Sequence, residues 1–381
     1  MRTRGNGDGT KRGLAGMLGL ALAATGAAAA AAAEDAGAKP RGSSVEVVFA
    51  IDTTGSMSGL IEAAKQKVWS IANEIAKGKP VPKIKMGLIA YRDRGDEYLT
   101  KVFDLSANLD KIYEELLSLK ANGGGDGPEH VLKALEDAAE RVSWDDDART
   151  FKVLYLVGDA PAHLDYGDTP KLEELTERLV RKGVVVNTIQ CGGQPDTTAQ
   201  WRRIARLAEG KYLPIAHDGG VVTVSTPFDD RIAALSTKLE GTMLGYGEKR
   251  DEAMETKALS RRVAAAAPAF AAAERAAFKS GAGFGGEMDL VEAVEEGRVD
   301  LARVSDKELP DAFRELSPED RRKKLAEVSK KRTQLRGEIR EINKKRARYM
   351  KEHSGGKGTD SFDVQLVESL KKQASRKGIV Y

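Results

Sequence analysis

Between residues 44 and 245, runs of period two alternate with runs of helical period. Ser44–Ile51 (SVEVVFAI) is apolar and β-branched, the pattern of a strand buried on both faces. Over 57–76 the spacing lengthens, and Leu60, Ile61, Ala64, Val68, Ile71, Ala72 and Ile75 form one helical stripe. Ile84–Tyr91 and Tyr98–Leu105 read as strands joined by the polar turn Asp93–Glu97. Asn108–Leu119 predicts a helix. The glycine-rich stretch Gly123–Gly127 follows, and Pro128 predicts the first turn of the next helix, with Leu132, Leu135, Ala138 and Val142 inward. Phe151–Val157 is a strongly apolar strand. Helix Lys171–Arg181, strand Val184–Ile189, helix Thr198–Ala208 and strand Lys211–Ile215 come next, and helix Phe228–Leu239 is expected to close the domain. Such alternation predicts a mostly parallel, doubly wound sheet with helices on both faces. Ligands of these sheets bind beyond the carboxyl ends of the strands, where strand order reverses.

The chemistry-bearing residues fall at those ends. The first strand runs into Asp52-Thr53-Thr54-Gly55-Ser56, a D-x-[ST]-x-S pattern. In a strand-to-helix turn the three oxygen side chains of Asp52, Thr54 and Ser56 can converge. They are hard donors, suited to Mg²⁺, Mn²⁺ or Ca²⁺ rather than zinc. Two hydroxyls and one carboxylate underfill such an ion, so other loops must contribute. Asp126, in GGGDGPE, and Asp159, in GDAPAH after the apolar strand, are the candidates. The alternative for Thr54, Ser56 and Asp126 is helix capping.

With these three motifs in order, residues 44 to about 245 resemble the von Willebrand factor A (vWA) domain family. The resemblance implies a Rossmann-like sheet and a metal-ion-dependent adhesion site (MIDAS). Asp52, Thr54 and Ser56 match its first motif and Asp159 its third. Asp126 stands where many members have threonine, in a variant similar to that of bacterial members. The implied function is non-enzymatic protein binding through one divalent cation, Mg²⁺ first and Mn²⁺ or Ca²⁺ as alternatives. A partner's acidic side chain would complete the metal shell. A third aspartate would neutralise the ion more fully and weaken its pull on that side chain.

The two ends of the chain differ from this middle. Arg2, Arg4, Lys11 and Arg12 precede an apolar Leu/Ala/Gly stretch that ends in small residues before Glu34, the pattern of an export signal over 1–33 with a linker over 34–43. The alternative is an uncleaved anchor. Export places the protein in the periplasm, the cell envelope or outside the cell. No later stretch approaches the length of a membrane span. Residues 246–381 read as a mostly helical extension. Pro268 breaks or kinks its alanine-rich part, and a glycine-rich joint follows at 280–286. Ser317-Pro318-Glu319-Asp320 starts a long helix to about Glu352. Its apolar seam is interrupted by Arg332 and Arg346, which makes a poor coiled coil and favours packing against the protein's own domain. Phe362–Ala374 predicts a last helix.

Composition narrows the remaining readings. The single cysteine, Cys191, excludes an intramolecular disulfide framework and Cys-rich zinc sites, and it reads as a small buried residue. The net charge of +3 names no nucleic-acid partner. The charge is uneven, however: 251–320 carries 9 basic and 16 acidic residues, 321–381 carries 19 and 7. The basic end reads as a solvated helix face. Gly281–Gly286 matches G-x-G-x-x-G but follows a helical stretch, which argues against a dinucleotide site. Arg94-Gly95-Asp96 reads as a turn, and His130 and His163 read as solvated loop residues. A phosphoryl-transfer enzyme is the alternative class, since Asp-x-Thr-Gly-Ser after a buried strand is similar to an aspartate-nucleophile motif. It lacks the second acid or lysine such enzymes use. A structural envelope or scaffold protein with a vestigial or purely stabilising metal site is the other alternative.

Overall fold

The computed structural model describes residues 43–125, 127–221, 223–281, 286–353 and 361–381. The export signal and all but the last residue of the linker lie outside them, as do Asp126 and most of the 280–286 joint. Six strands form one sheet: β1 (Ser44–Asp52), β2 (Lys83–Tyr91), β3 (Thr100–Ser106), β4 (Phe151–Gly158), β5 (Val184–Cys191) and β6 (Tyr212–Ile215). Their order is β3-β2-β1-β4-β5-β6, with only β3 antiparallel. The chain enters at the centre, builds outward to β3 and returns to β4. The order therefore reverses between β1 and β4, whose residues pair from Val45↔Phe151 to Ile51↔Val157.

Alternation along the central strands fills both faces. Val45, Val47, Phe49 and Ile51 of β1 join Phe151, Val153, Tyr155 and Val157 of β4 in one core. Val48, Ala50, Leu154 and Leu156 enter the core on the other side. That second face is covered by α3 (Val131–Glu140), α4 (Leu172–Arg181) and α5 (Pro195–Leu207). The first face is covered by α1 (Ser58–Ile75), α2 (Leu109–Ser118) and a helix from far along the chain.

That helix is α12 (Phe362–Ala374), and it corrects the expected closure of the domain. The helix expected to close it, α6 (Asp229–Glu240), sends Leu235 and Leu239 to Leu335 and Ile339 of α11 (Pro318–His353). Its Ile232 meets Ala273 and Ala276 of α8 (Ala269–Gly281). The sheet is sealed by Phe362, Leu366, Leu370 and Ala374 of α12. The Tyr155 hydroxyl donates to the Leu366 carbonyl at 3.1 Å, and Asn187 and Gln373 exchange two hydrogen bonds of 2.8 Å. The expected boundary at 245 thus does not separate two cores. Pro268 lies between α7 (Arg250–Ala266) and α8, a full break. Two short helices, α9 (Leu290–Glu295) and α10 (Asp311–Arg314), lead into α11.

The arginines that interrupt the α11 seam are buried and paired. Arg332 donates to both oxygens of Asp289 at 2.7 and 3.0 Å, and to the Thr242 carbonyl. Arg346 reaches Asp229 at 2.7 Å and Glu274 at 2.5 Å. A third buried arginine, Arg275, joins Asp110 of α2 to Glu240 of α6. Two positions of the basic end are therefore internal ties rather than solvated face. Among the described residues no helix is long and apolar enough to cross a membrane.

Candidate functional site

The point of strand reversal collects the predicted oxygen donors. Asp52 is the last residue of β1 and is fully buried. The Thr54 backbone N–H and hydroxyl both donate to Asp52 Oδ1, at 2.8 and 2.7 Å. Thr54 therefore serves this carboxylate and makes no side-chain helix cap. Ser56 lies on the next turn, Gly55–Met57, with its residue exposed. Asp159 follows β4 directly, partly buried, and the Thr197 hydroxyl donates to its carbonyl at 3.2 Å. The structure brings Asp52, Thr54 and Asp159 to one locality, and Asp126 lies outside the described residues.

Glycines allow the neighbouring loop to close over this point. Gly55 N–H donates to Gly123 O at 3.2 Å, and a Cβ on Gly55 would press on that oxygen. Gly123 has φ +80°, and a side chain there would strike the Asp96 carboxylate. Gly124 N–H in turn donates to that carboxylate. This intramolecular role occupies the aspartate of the Arg-Gly-Asp turn. Arg94 is engaged as well, lying 3.9 Å from the Tyr166 ring centroid and pairing with Asp168.

The loop also delivers a carboxylate that sequence reasoning missed. Helix α3 begins at Val131, three residues later than Pro128 predicts. Glu129 is instead held extended beside Ala162: its N–H donates to Pro161 O at 2.8 Å and its carbonyl accepts from His163 N at 3.0 Å. This non-local bridge overrides the proline signal and turns Glu129 inward, close to Thr54. Its signal in the sequence was its place at the end of GGGDGPE. The bridge also corrects both histidines. His130 is buried and caps α3, accepting from Lys133 N at 3.3 Å. His163 is buried, stacked on Tyr166, with Nε2 3.5 Å from Asp93.

Electrostatics mark the site. Asp52 Oδ2 and Glu129 Oε2 are buried without a hydrogen-bond partner. Burial, with Asp159 and Asp96 nearby, pushes Asp52 up to about 7 despite the two bonds from Thr54. Burial, with Asp52 and Asp93 nearby, pushes Glu129 up to about 9. Among the described residues, His217 alone supplies a basic group within ion-pair distance of Asp52, Glu129 or Asp159. Two unpartnered, crowded carboxyl oxygens beside a hydroxyl form a donor set that a divalent cation fits. Among the described residues no three His, Cys, Asp or Glu side chains group as a metal cage. Cys191 is buried, and burial raises its thiol well above the ordinary range, which favours the less reactive thiol form.

Comparison with known proteins agrees with this architecture. Residues 46–226 match the family model described as von Willebrand factor A domain. The chain carries a von Willebrand factor A domain. The rat von Willebrand factor A domain-containing protein 7 is 38% identical over 88 residues, 23% of this chain and 9% of that protein. The alpha-protein kinase vwkA of Dictyostelium discoideum is 27% identical over 120 residues, 31% of this chain and 19% of that protein. The A domain thus matches only a minor part of these relatives' length. The crystal structure of the SpRpn10 VWA domain aligns over 45% of this chain and 88% of its own, at 16% identity and TM-score 0.35. Proximal thread matrix protein 1 from the mussel byssus, with a zinc-occupied MIDAS motif, aligns over 46% of this chain and 43% of its own, at 18% identity and TM-score 0.36.

Proposed function

We propose that this A domain is a non-enzymatic, divalent-metal-dependent protein-binding module. The observation that carries the reading is the buried, unpartnered Oδ2 of Asp52, beside Thr54 and facing two further acids. Asp52, Thr54 and Ser56 would hold the cation, Asp159 and Asp126 would complete its surroundings, and Glu129 joins them as an inner carboxyl. Mg²⁺ suits a set made wholly of oxygens. When bound, the ion supplies a Lewis-acidic centre that accepts an oxygen from the partner. The chain's own residues fix the geometry: Thr54 orients Asp52, and the exposed Ser56 turn leaves the outer side open. With residues 1–33 read as an export signal, the module would work in the periplasm, the cell envelope or outside the cell.

Thermal unfolding of the protein with and without Mg²⁺, Mn²⁺ or Ca²⁺ tests the reading. A bound ion adds about 2.7 kcal/mol at a hundred times its dissociation constant. The expected result is a metal-dependent rise in Tm that Asp52→Ala abolishes. A rise retained in Asp52→Ala would place the ion elsewhere. Partner capture that survives chelator would make the ion a stabiliser only.

A further inference from the structure

We propose that His217 adds a nitrogen donor to the cation site and gives it a preference for zinc-class ions over magnesium. This rests on the reading of Asp52, Thr54 and Ser56 as an ion site. His217 lies two residues beyond β6, outside the D-x-[ST]-x-S, GGGD and GDAP segments. Three contacts place its loop. The Gly219 carbonyl accepts from Phe362 N at 3.0 Å, which fastens the loop to the start of α12. A Cβ on Gly59 would lie 3.2 Å from Asp218, so the loop rests on the first turn of α1, just after Ser56. A Cβ on Gly192 would lie 3.9 Å from His217 Cδ2, so the imidazole sits over the end of β5. From there Nε2 reaches within 3.5 Å of Asp159 Oδ2.

The separation and the chemistry both favour a shared ion. Zn–N and Zn–O bonds are each about 2.0–2.2 Å, so one ion can touch two donors 3.5 Å apart. The imidazole is 57% exposed on its side chain, which leaves it free to turn toward the ion. Neutral imidazole adds a donor without adding negative charge. This matters where Asp52, Glu129 and Asp159 already crowd carboxylates together. Imidazole suits zinc, copper and nickel, whereas magnesium demands oxygen and retains its waters.

The test uses the full untagged chain, stripped with chelator and reloaded. Calorimetric titration with Zn²⁺ and with Mg²⁺ compares wild type, His217→Ala and Asp52→Ala. Wild type should bind zinc more tightly. His217→Ala should weaken zinc by at least about 10-fold, the lower end of the range for losing a group that merely supports a metal ligand, with a smaller effect on magnesium. Cu²⁺ as a paramagnetic probe should show imidazole ¹⁴N modulation in pulsed EPR, lost in His217→Ala. An unchanged zinc-to-magnesium ratio with persistent modulation overturns the proposal. Asp52→Ala separates the two possible failures. If it abolishes binding while His217→Ala changes nothing, only the nitrogen donor is wrong. If it too leaves every ion bound, the underlying site reading falls as well. The exposure of His217 keeps the fold of its variant intact, which circular dichroism verifies.

Discussion

Asp52 and Glu129 carry opposite obligations in the metal-free and metal-loaded protein. Both have native-state values raised above those of the unfolded chain, to about 7 and about 9. The native state therefore holds more protons than the unfolded state across that interval, and stability must fall as pH rises. In chelator, the contribution of these two groups to urea resistance should be greatest below about pH 4, where both are protonated in either state, and should decline as pH rises to about 9. Glu129→Gln should flatten the upper part of that decline and Asp52→Asn the lower part. A saturating divalent ion should remove the decline, because it favours the ionised carboxyls. Urea melts of Glu129→Gln that keep the wild-type slope between about pH 7 and 9 would contradict this account. Asp52 was legible from its motif because its hydrogen-bond partner, Thr54, lies two residues on. Glu129 was not, because the bridge to Ala162 that turns it inward joins segments far apart in the chain.

At the scale of elements, the buried arginines determine how the helices meet. Arg332 of α11 carries its charge into an interface where its bidentate partner is Asp289, which also receives the backbone N–H groups of Leu244 and Glu292. Arg332→Met should cost about 3–5 kcal/mol, since it leaves a buried carboxylate uncompensated. Adding Asp289→Asn, which removes the uncompensated charge and keeps one of the two acceptor oxygens, should recover part of that loss. Denaturant midpoints of the single and double variants provide the comparison, and equal losses would mean that packing rather than charge dominates. The strands were legible because β-branched, two-sided apolar runs admit few other structures. Helix α11 was legible in extent, and its Arg332 and Arg346 were legible as interruptions. Their partners were not, since Asp289 lies 43 residues and Asp229 117 residues upstream of the arginines that bind them. An amphipathic stripe states that a helix is covered without stating by what. That is why α6 was assigned to the sheet and α12 was not.

At the scale of the whole molecule, the A domain and the helical extension share one core. Removal of residues 361–381 should expose Phe49, Ile51 and Tyr155 and leave Asn187 without its amide partner. The truncated protein should lose its cooperative thermal transition and bind a hydrophobic dye such as ANS. A sharp transition in that variant would show that α12 is an accessory rather than a part of the fold. The same dependence governs how the protein is made. Tyr155 meets Leu366 across 211 residues, so the central strands leave the ribosome long before the helix that shields them. The part of that face under α12 must stay open through most of synthesis, and closing it waits on contacts of large sequence separation, which form slowly. A nascent chain in that condition is a natural client for chaperones.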